Sequence, residues 1–303
     1  MTPTVIHEVG PRDGLQMEKA VVPFETKLGW VRGVLEAGVD IVQVGSFVHP
    51  EKVPQMADTD RLFRELRAGP VPAGAVLSGL VLNEKGLDRA VAADVDLVCM
   101  GVSASETHSR KNTAMSVAEA ADRVIAMARQ LLADGRRVQV SVQSAFGCGF
   151  EGPIPAERVL ALVGRYAEAG VTQVSLADTA GHAMPDQVRR LYEGVRALGP
   201  GLECACHFHD TYGMGIANVL AALELGATSI ESSFAGLGGC PFTKVAAGNV
   251  CTEDLVYMLQ RMGHREDIRL DGLIAVARAV AAHFGREMPG KVYKTGPIRR
   301  GGE

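Results

Sequence analysis

Cys206-His207-Phe208-His209-Asp210 sets two histidines two positions apart in a run of β-type residues. Side chains at i and i+2 of a strand stand on one face, so both imidazoles can reach a single ion, and imidazole is the commonest protein ligand for divalent transition metals. This is half a site. The other half is expected in Val9-Gly10-Pro11-Arg12-Asp13-Gly14, just after an apolar N-terminal run, and in Ala247-Gly248-Asn249 near the end of the last repeat. Asp13, His207, His209 and Asn249 would supply one carboxylate oxygen, two imidazole nitrogens and one amide oxygen, leaving two exchangeable positions on an octahedral ion. Such a set suits Mg²⁺ or Mn²⁺, with Zn²⁺, Co²⁺ or Fe²⁺ admitted by ligand type. Open positions mean catalysis, with the cation as a Lewis acid on adjacent substrate oxygens. Arg12, permanently cationic and fork-shaped, suits an enolate or thioester oxygen beside that ion.

The elements that must position these residues are repeated βα units. Short β-branched or apolar runs near 4–9, 40–45, 75–81, 95–100, 136–142, 171–177, 202–208 and 227–232 alternate with longer amphipathic segments. About eight such units predict an α/β fold of the (β/α)₈ TIM-barrel type, in which chemistry sits at the C-terminal ends of the strands. Asp13, Gln43, Asp178, His207, His209 and Asn249 all fall at or just after those ends. An open doubly wound sheet is the structural alternative, but no G-x-G-x-x-G follows the first strand. Ser116-Val117-Ala118-Glu119 reads as a capping box, and Gly38, Gly135, Gly170 and Gly226 each end a helical pattern. Thr252-Glu253-Asp254-Leu255 starts a closing helix, and an Ala/Val-rich segment near 271–285 adds further C-terminal helix.

Residues 1–303 form a single domain in this reading, since no Pro/Ser-rich linker or charge block divides the chain. A net charge of −4 gives no general attraction to nucleic acid. No window is long and apolar enough for a membrane span, and the N-terminus lacks a signal pattern, so a cytoplasmic protein without membrane partners is expected. Six cysteines in this context do not suggest a disulfide framework. Cys204 and Cys206 read as packed thiols, whereas Cys240 lies in the loop Gly236-Leu237-Gly238-Gly239-Cys240-Pro241 with little around it.

The N-terminal turn, Ser46-Phe47-Val48-His49-Pro50-Glu51-Lys52-Val53-Pro54-Gln55-Met56, Leu176-Ala177-Asp178-Thr179-Ala180-Gly181, His207-Phe208-His209-Asp210-Thr211-Tyr212-Gly213 and the Cys240 loop come in an order that resembles the 3-hydroxy-3-methylglutaryl-CoA lyase family. The likeness runs over nearly the whole chain, up to about residue 286. It implies a metal-dependent TIM-barrel lyase, related to isopropylmalate and homocitrate synthases, that takes an acyl-CoA thioester. The implied reaction is a retro-Claisen cleavage giving an acyl-CoA and a ketone or oxo acid, as in leucine catabolism and ketone-body formation. It further implies that Asp13, His207, His209 and Asn249 hold the cation and that Arg12 stabilises the enolate. Cys240 would protonate the departing carbanion, with Asp178 and Glu253 supporting the site. Arg110 and Lys111, and also Lys52, become candidates for the CoA phosphates; a homodimer is left open.

Two positions depart from the family pattern. Where the family carries a glutamate in its second strand, this chain reads Val42-Gln43-Val44-Gly45-Ser46-Phe47, and His108 replaces a commonly apolar residue. Gln43 keeps the length and an acceptor oxygen but cannot take a proton. A changed substrate follows more readily than a dead enzyme, because the rest of the site is complete. Competing readings are a condensing synthase or aldolase using a 2-oxo acid, and a catalytically silent barrel that binds an acyl-CoA.

Overall fold

The computed structural model describes residues 4–239 and 248–298. Its eight strands are β1 (Val5–Glu8), β2 (Ile41–Ser46), β3 (Val76–Leu80), β4 (Leu97–Ser103), β5 (Arg137–Gln143), β6 (Gln173–Asp178), β7 (Glu203–Phe208) and β8 (Ser229–Ser232). They pair in sequence order, all parallel, and β8 closes on β1 from Val5↔Ser229 to Glu8↔Ser232. The result is a TIM barrel, as expected. Parallel strands covered on both faces read as near-continuous apolar runs. All six residues of β2 are buried accordingly, although one of them is Gln43.

The covering helices are α1 (Phe24–Ala37), α2 (Thr59–Ala68), α3 (Glu84–Ala92), α4 (Glu106–Thr113), α5 (Val117–Ala133), α6 (Ala156–Glu168), α7 (Pro185–Leu198), α8 (Gly215–Glu224) and α9 (Thr252–Arg261). Beyond the repeats lie α10 (Leu270–Phe284), which packs on α1, and the short α11 (Val292–Thr295). The capping box at Ser116 and Glu119 is present, and α1 ends at Gly38 with φ of 96°. In α2 the buried set Thr59, Leu62, Phe63 and Leu66 follows the helical period, turning one stripe to the barrel. No helix among the described residues is long and apolar enough to cross a membrane.

The largest departure from the sequence-based boundaries is in β4, which runs three residues past the expected end at 100. Gly101 weakens the β pattern locally, but Gly101, Val102 and Ser103 pair with Ser141, Val142 and Gln143 of β5. Pairing with a neighbour overrides intrinsic preference. The extension delivers Ser105, whose side chain accepts from the His108 backbone N–H at 3.1 Å and caps α4.

Candidate active site

At the end of β1 the chain makes a five-residue turn of π type, Gly10–Gly14, instead of entering a helix directly. The backbone N–H groups of Arg12, Asp13 and Gly14 all converge on the Val9 carbonyl, at 3.1, 2.7 and 3.4 Å. Such turns recur at functional sites because they aim side chains that a regular helix would not. Here the turn points Arg12 and Asp13 across the barrel mouth. Gly10 is required by crowding: a Cβ there would lie 2.6 Å from Glu8 Oε1 and 2.9 Å from the Phe234 ring.

From the opposite side, β7 contributes His207 and His209. Their Nε2 atoms face each other at 3.2 Å, and each lies close to Asp13 Oδ2, at 3.8 and 3.9 Å. Asn249, in the described segment that resumes at Gly248, reaches the same point. Asp210 N–H donates to the Gly248 carbonyl at 2.9 Å and Val250 N–H to the Phe208 carbonyl at 3.1 Å, so the segment is stitched to β7 and Asn249 sits beside His209. Its Nδ2 donates to Asp13 Oδ2 at 2.8 Å and to the Leu237 carbonyl at 3.1 Å. Gly238, with φ of 124°, allows that approach, since a Cβ would stand 2.5 Å from Asn249 Nδ2.

Asp13, His207 and His209 thus form a group whose ligand atoms all lie within 4.8 Å of one another. Adjacent ligands of one ion, with bonds of about 2.1 Å, stand about 3 Å apart, which matches the facing imidazole nitrogens. The Oδ1 of Asn249 is buried without a hydrogen-bond partner among the described residues, a cost that an electropositive group would remove. The residues present therefore fit a divalent cation. Arg12 adjoins them, donating from Nη1 to Asp13 Oδ1 and from Nε to Gln43 Oε1. A β-bulge between Gln43 and Gly45 breaks the β2 register beside that contact.

A family model described as HMGL-like matches residues 4–280. This chain belongs to that family. It is 34% identical over 290 residues to the hydroxymethylglutaryl-CoA lyase YngG of Bacillus subtilis, covering 94% of this chain and 95% of the relative. It is also 35% identical over 305 residues to the (R)-citramalyl-CoA lyase of Chloroflexus aurantiacus, covering 98% and 96%. The solved HMG-CoA lyase of Acinetobacter baumannii, in complex with coenzyme A and 3-methylmalate, superposes with a TM-score of 0.91 at 36% identity, covering 98% of this chain and 97% of that one.

Within this HMGL-like barrel the other expected site residues are spread more widely. Asp178 ends β6, is fully buried, and accepts the backbone N–H groups of His182 and Ala183 at 2.7 and 3.2 Å, which fixes the following loop. Glu253, in the first turn of α9, accepts from the Ala235 backbone N–H at 3.1 Å instead of joining the cation group. Arg110 is exposed on α4, 3.7 Å from Glu106, and Lys111 holds its ammonium 4.5 Å from the Phe150 ring centroid. Both are on the same rim as the site, since α4 follows the C-terminal end of β4. Cys240 lies outside the described residues. Cys204 and Cys206 are buried and take no part in the cation group.

The electrostatics follow from burial and neighbours. Burial alone would raise the Asp13 carboxyl, but Arg12, the hydrogen bond with His209 and the two imidazoles hold it well below its ordinary value. Burial also opposes a charged His207, yet Glu231 and Asp13 outweigh it and raise the ring. His7, on β1 with its Nε2 2.8 Å from Ser78 Oγ, is pushed down to about 4 by burial and stays neutral.

Two acids were missed by motif spacing. Glu231 lies 3.0 Å from His207 Nδ1. Glu8 accepts from Gly10 N–H at 2.7 Å and Phe234 N–H at 2.9 Å on one oxygen, and from the Thr252 hydroxyl at 2.7 Å on the other. It locks the Arg12–Asp13 turn to the segment leading into the Gly-rich loop. The available signal was an acid within a short buried strand, twice over, where a charge is costly unless it is partnered.

Burial raises Glu8 from 4.5 to about 8. Between those values the native protein holds a proton that the unfolded chain has lost. Its contribution to stability is therefore full below pH 4.5 and declines as pH rises through about 8, by at most about 1.4 kcal/mol per pH unit. Glu8→Gln keeps the acceptor for Gly10 and Phe234 and can donate to Thr252, without titrating. The thermal midpoint of the unsubstituted protein should fall more than that of Glu8→Gln between about pH 6 and 8.5. Parallel curves would remove Glu8 as the titrating group.

Proposed function

We propose that this chain is a divalent-cation-dependent carbon–carbon lyase that cleaves a 3-hydroxyacyl-CoA of the 3-hydroxy-3-methylglutaryl type. The observation that carries this reading is the convergence of Asp13, His207 and His209, with Arg12 against them, at the C-terminal mouth of an HMGL-like barrel. Relatives covering nearly the whole chain are named as lyases of such thioesters. Mg²⁺ or Mn²⁺ is the ion that the mixed nitrogen and oxygen donors suit best, with Asn249 the fourth donor.

A cation bound there supplies Lewis acidity toward the substrate's hydroxyl and carbonyl oxygens. In the cleavage the hydroxyl on C3 gives its proton to water, the C2–C3 bond breaks, and its electron pair passes to C2 as a thioester enolate while C3 becomes a carbonyl. Protonation of C2 completes the acyl-CoA. Arg12 provides planar N–H donors for the thioester oxygen as negative charge develops on it. Gln43 holds Arg12 through its Nε and takes no proton itself. Cys240 is proposed as the acid that protonates C2, with Asp178 and Glu253 supporting the loops around the site, and Arg110 and Lys111 are proposed to meet the CoA phosphates.

The test is a panel of branched 3-hydroxyacyl-CoA thioesters, with release of acyl-CoA and of ketone or oxo acid both quantified. EDTA should abolish release and Mn²⁺ should restore it. A protein that binds Mn²⁺ yet consumes no thioester in either direction, including condensation of acyl-CoA with 2-oxo acids, would be the silent binding barrel instead. One observation favours a second substrate within this class. Gln43 leaves Arg12 with Asp13 as its sole acidic partner among the described residues, so the site can accept a substrate carboxylate held directly on C3, as in citramalyl-CoA.

A further inference from the structure

We infer that Glu231, anchored by Gln139, is a positioning residue that fixes His207 as the Nδ1–H tautomer and thereby reserves Nε2 for the cation. This rests on the cation-centre reading of Asp13, His207 and His209. His207 and Glu231 are direct register partners on β7 and β8, so both side chains leave the strands at one level of the barrel. Glu231 Oε2 lies 3.0 Å from His207 Nδ1, and Gln139 Nε2 on β5 donates to Glu231 Oε1 at 2.6 Å. All three residues are buried.

A carboxylate only accepts hydrogen bonds, so the nitrogen facing it must carry the proton. The neutral ring then has its lone pair on Nε2, the atom 3.2 Å from His209 Nε2 and 3.8 Å from Asp13 Oδ2. Without Glu231 the ring is free to place its proton on Nε2 and donate to His209 or Asp13, which would close the site to a cation. Gln139 adds direction: its amide N–H occupies one carboxylate oxygen and leaves the other for the imidazole. Outer carboxylates of this kind orient metal-binding histidines, and their loss costs about 10–100-fold in metal affinity.

Two measurements test this. In metal-free unsubstituted protein, at a pH high enough that the His207 ring is neutral, ¹⁵N NMR of the histidine ring, with the His207 signals assigned from their loss in His207→Asn, should show Nδ1–H alone. Free imidazole side chains favour Nε2–H, so the result is diagnostic, and an Nε2–H ring at His207 would overturn the inference. In Glu231→Gln, which keeps the volume but can donate as well as accept, Mn²⁺ affinity read by EPR should fall about 10–100-fold with circular dichroism unchanged. Affinity within about twofold of the unsubstituted protein, in a folded variant, would also overturn it. If Glu231→Gln does not fold, the NMR result decides. If the unsubstituted protein binds no Mn²⁺, the cation reading of the site fails separately, and the tautomer still reports on Glu231.

Discussion

Arg12→Lys is expected to keep Mn²⁺ affinity close to that of the unsubstituted protein while lowering kcat/KM on the best thioester by about 10²–10³, the usual loss when one oxyanion donor is removed. The geometry gives Arg12 more to do than a charge. Its Nε donates to Gln43 Oε1 and its Nη1 to Asp13 Oδ1, while Nη2 has no hydrogen-bond partner among the described residues. Two of the three nitrogens therefore fix the plane of the guanidinium, and the third offers donors to a substrate oxygen. An ammonium keeps the charge but has no plane, so it can serve Asp13 or the substrate but cannot hold the fork to Gln43. Asp13 keeps its approach to both imidazoles and its bond from Asn249, so the cation group survives. Kinetics and Mn²⁺ titration on the same preparation separate the two effects. Turnover within about threefold of the unsubstituted protein would remove Arg12 from enolate stabilisation, and a parallel loss of Mn²⁺ affinity would make it a support for Asp13 instead.

The barrel was legible in the sequence because its signal is periodic and repeated. Each strand is a short apolar run with turn residues at its ends, and an error of a few residues at β4 changes nothing about which loop lies at the mouth. The cation group was legible for a local reason, since His207 and His209 share a strand face and Asp13 follows the first strand directly. Glu231 and Glu8 were not. Their partners lie 24 residues away at His207 and 226 residues away at Phe234, and barrel register brings them together. Spacing along a chain reports same-strand neighbours well and cross-barrel neighbours poorly. Glu253 shows another limit: only the family resemblance gave it a supporting role, and the first turn of α9 directs it to the Ala235 backbone. Burial lifts its carboxyl to about 7, as a buttress of that turn.

Gln43→Glu should change which thioester is preferred. The unsubstituted protein is expected to cleave HMG-CoA weakly and a thioester bearing a carboxylate directly on C3, of the citramalyl-CoA kind, more efficiently. The physical reason is the charge balance around Arg12. Gln43 is 2% exposed and gives Arg12 a hydrogen bond without a negative charge. A glutamate at the same position would pair with the guanidinium and weaken its pull on a substrate anion. It would also stand as a second fixed negative charge in a partly desolvated mouth. Two unit charges about 4–5 Å apart interact by about 3–4 kcal/mol at the effective dielectric of such sites, or about two to three decades in a rate ratio. A carboxylate on C3 would take most of that repulsion, whereas one carried a methylene further out, as in HMG-CoA, can swing away from it. The ratio of kcat/KM for HMG-CoA over citramalyl-CoA should accordingly rise by about 10² or more in Gln43→Glu, provided that Mn²⁺ affinity is unchanged. The interpretation would be falsified by an unsubstituted protein that cleaves HMG-CoA as well as any alternative, together with a ratio that stays put on substitution, since position 43 would then hold Arg12 in place without choosing the substrate.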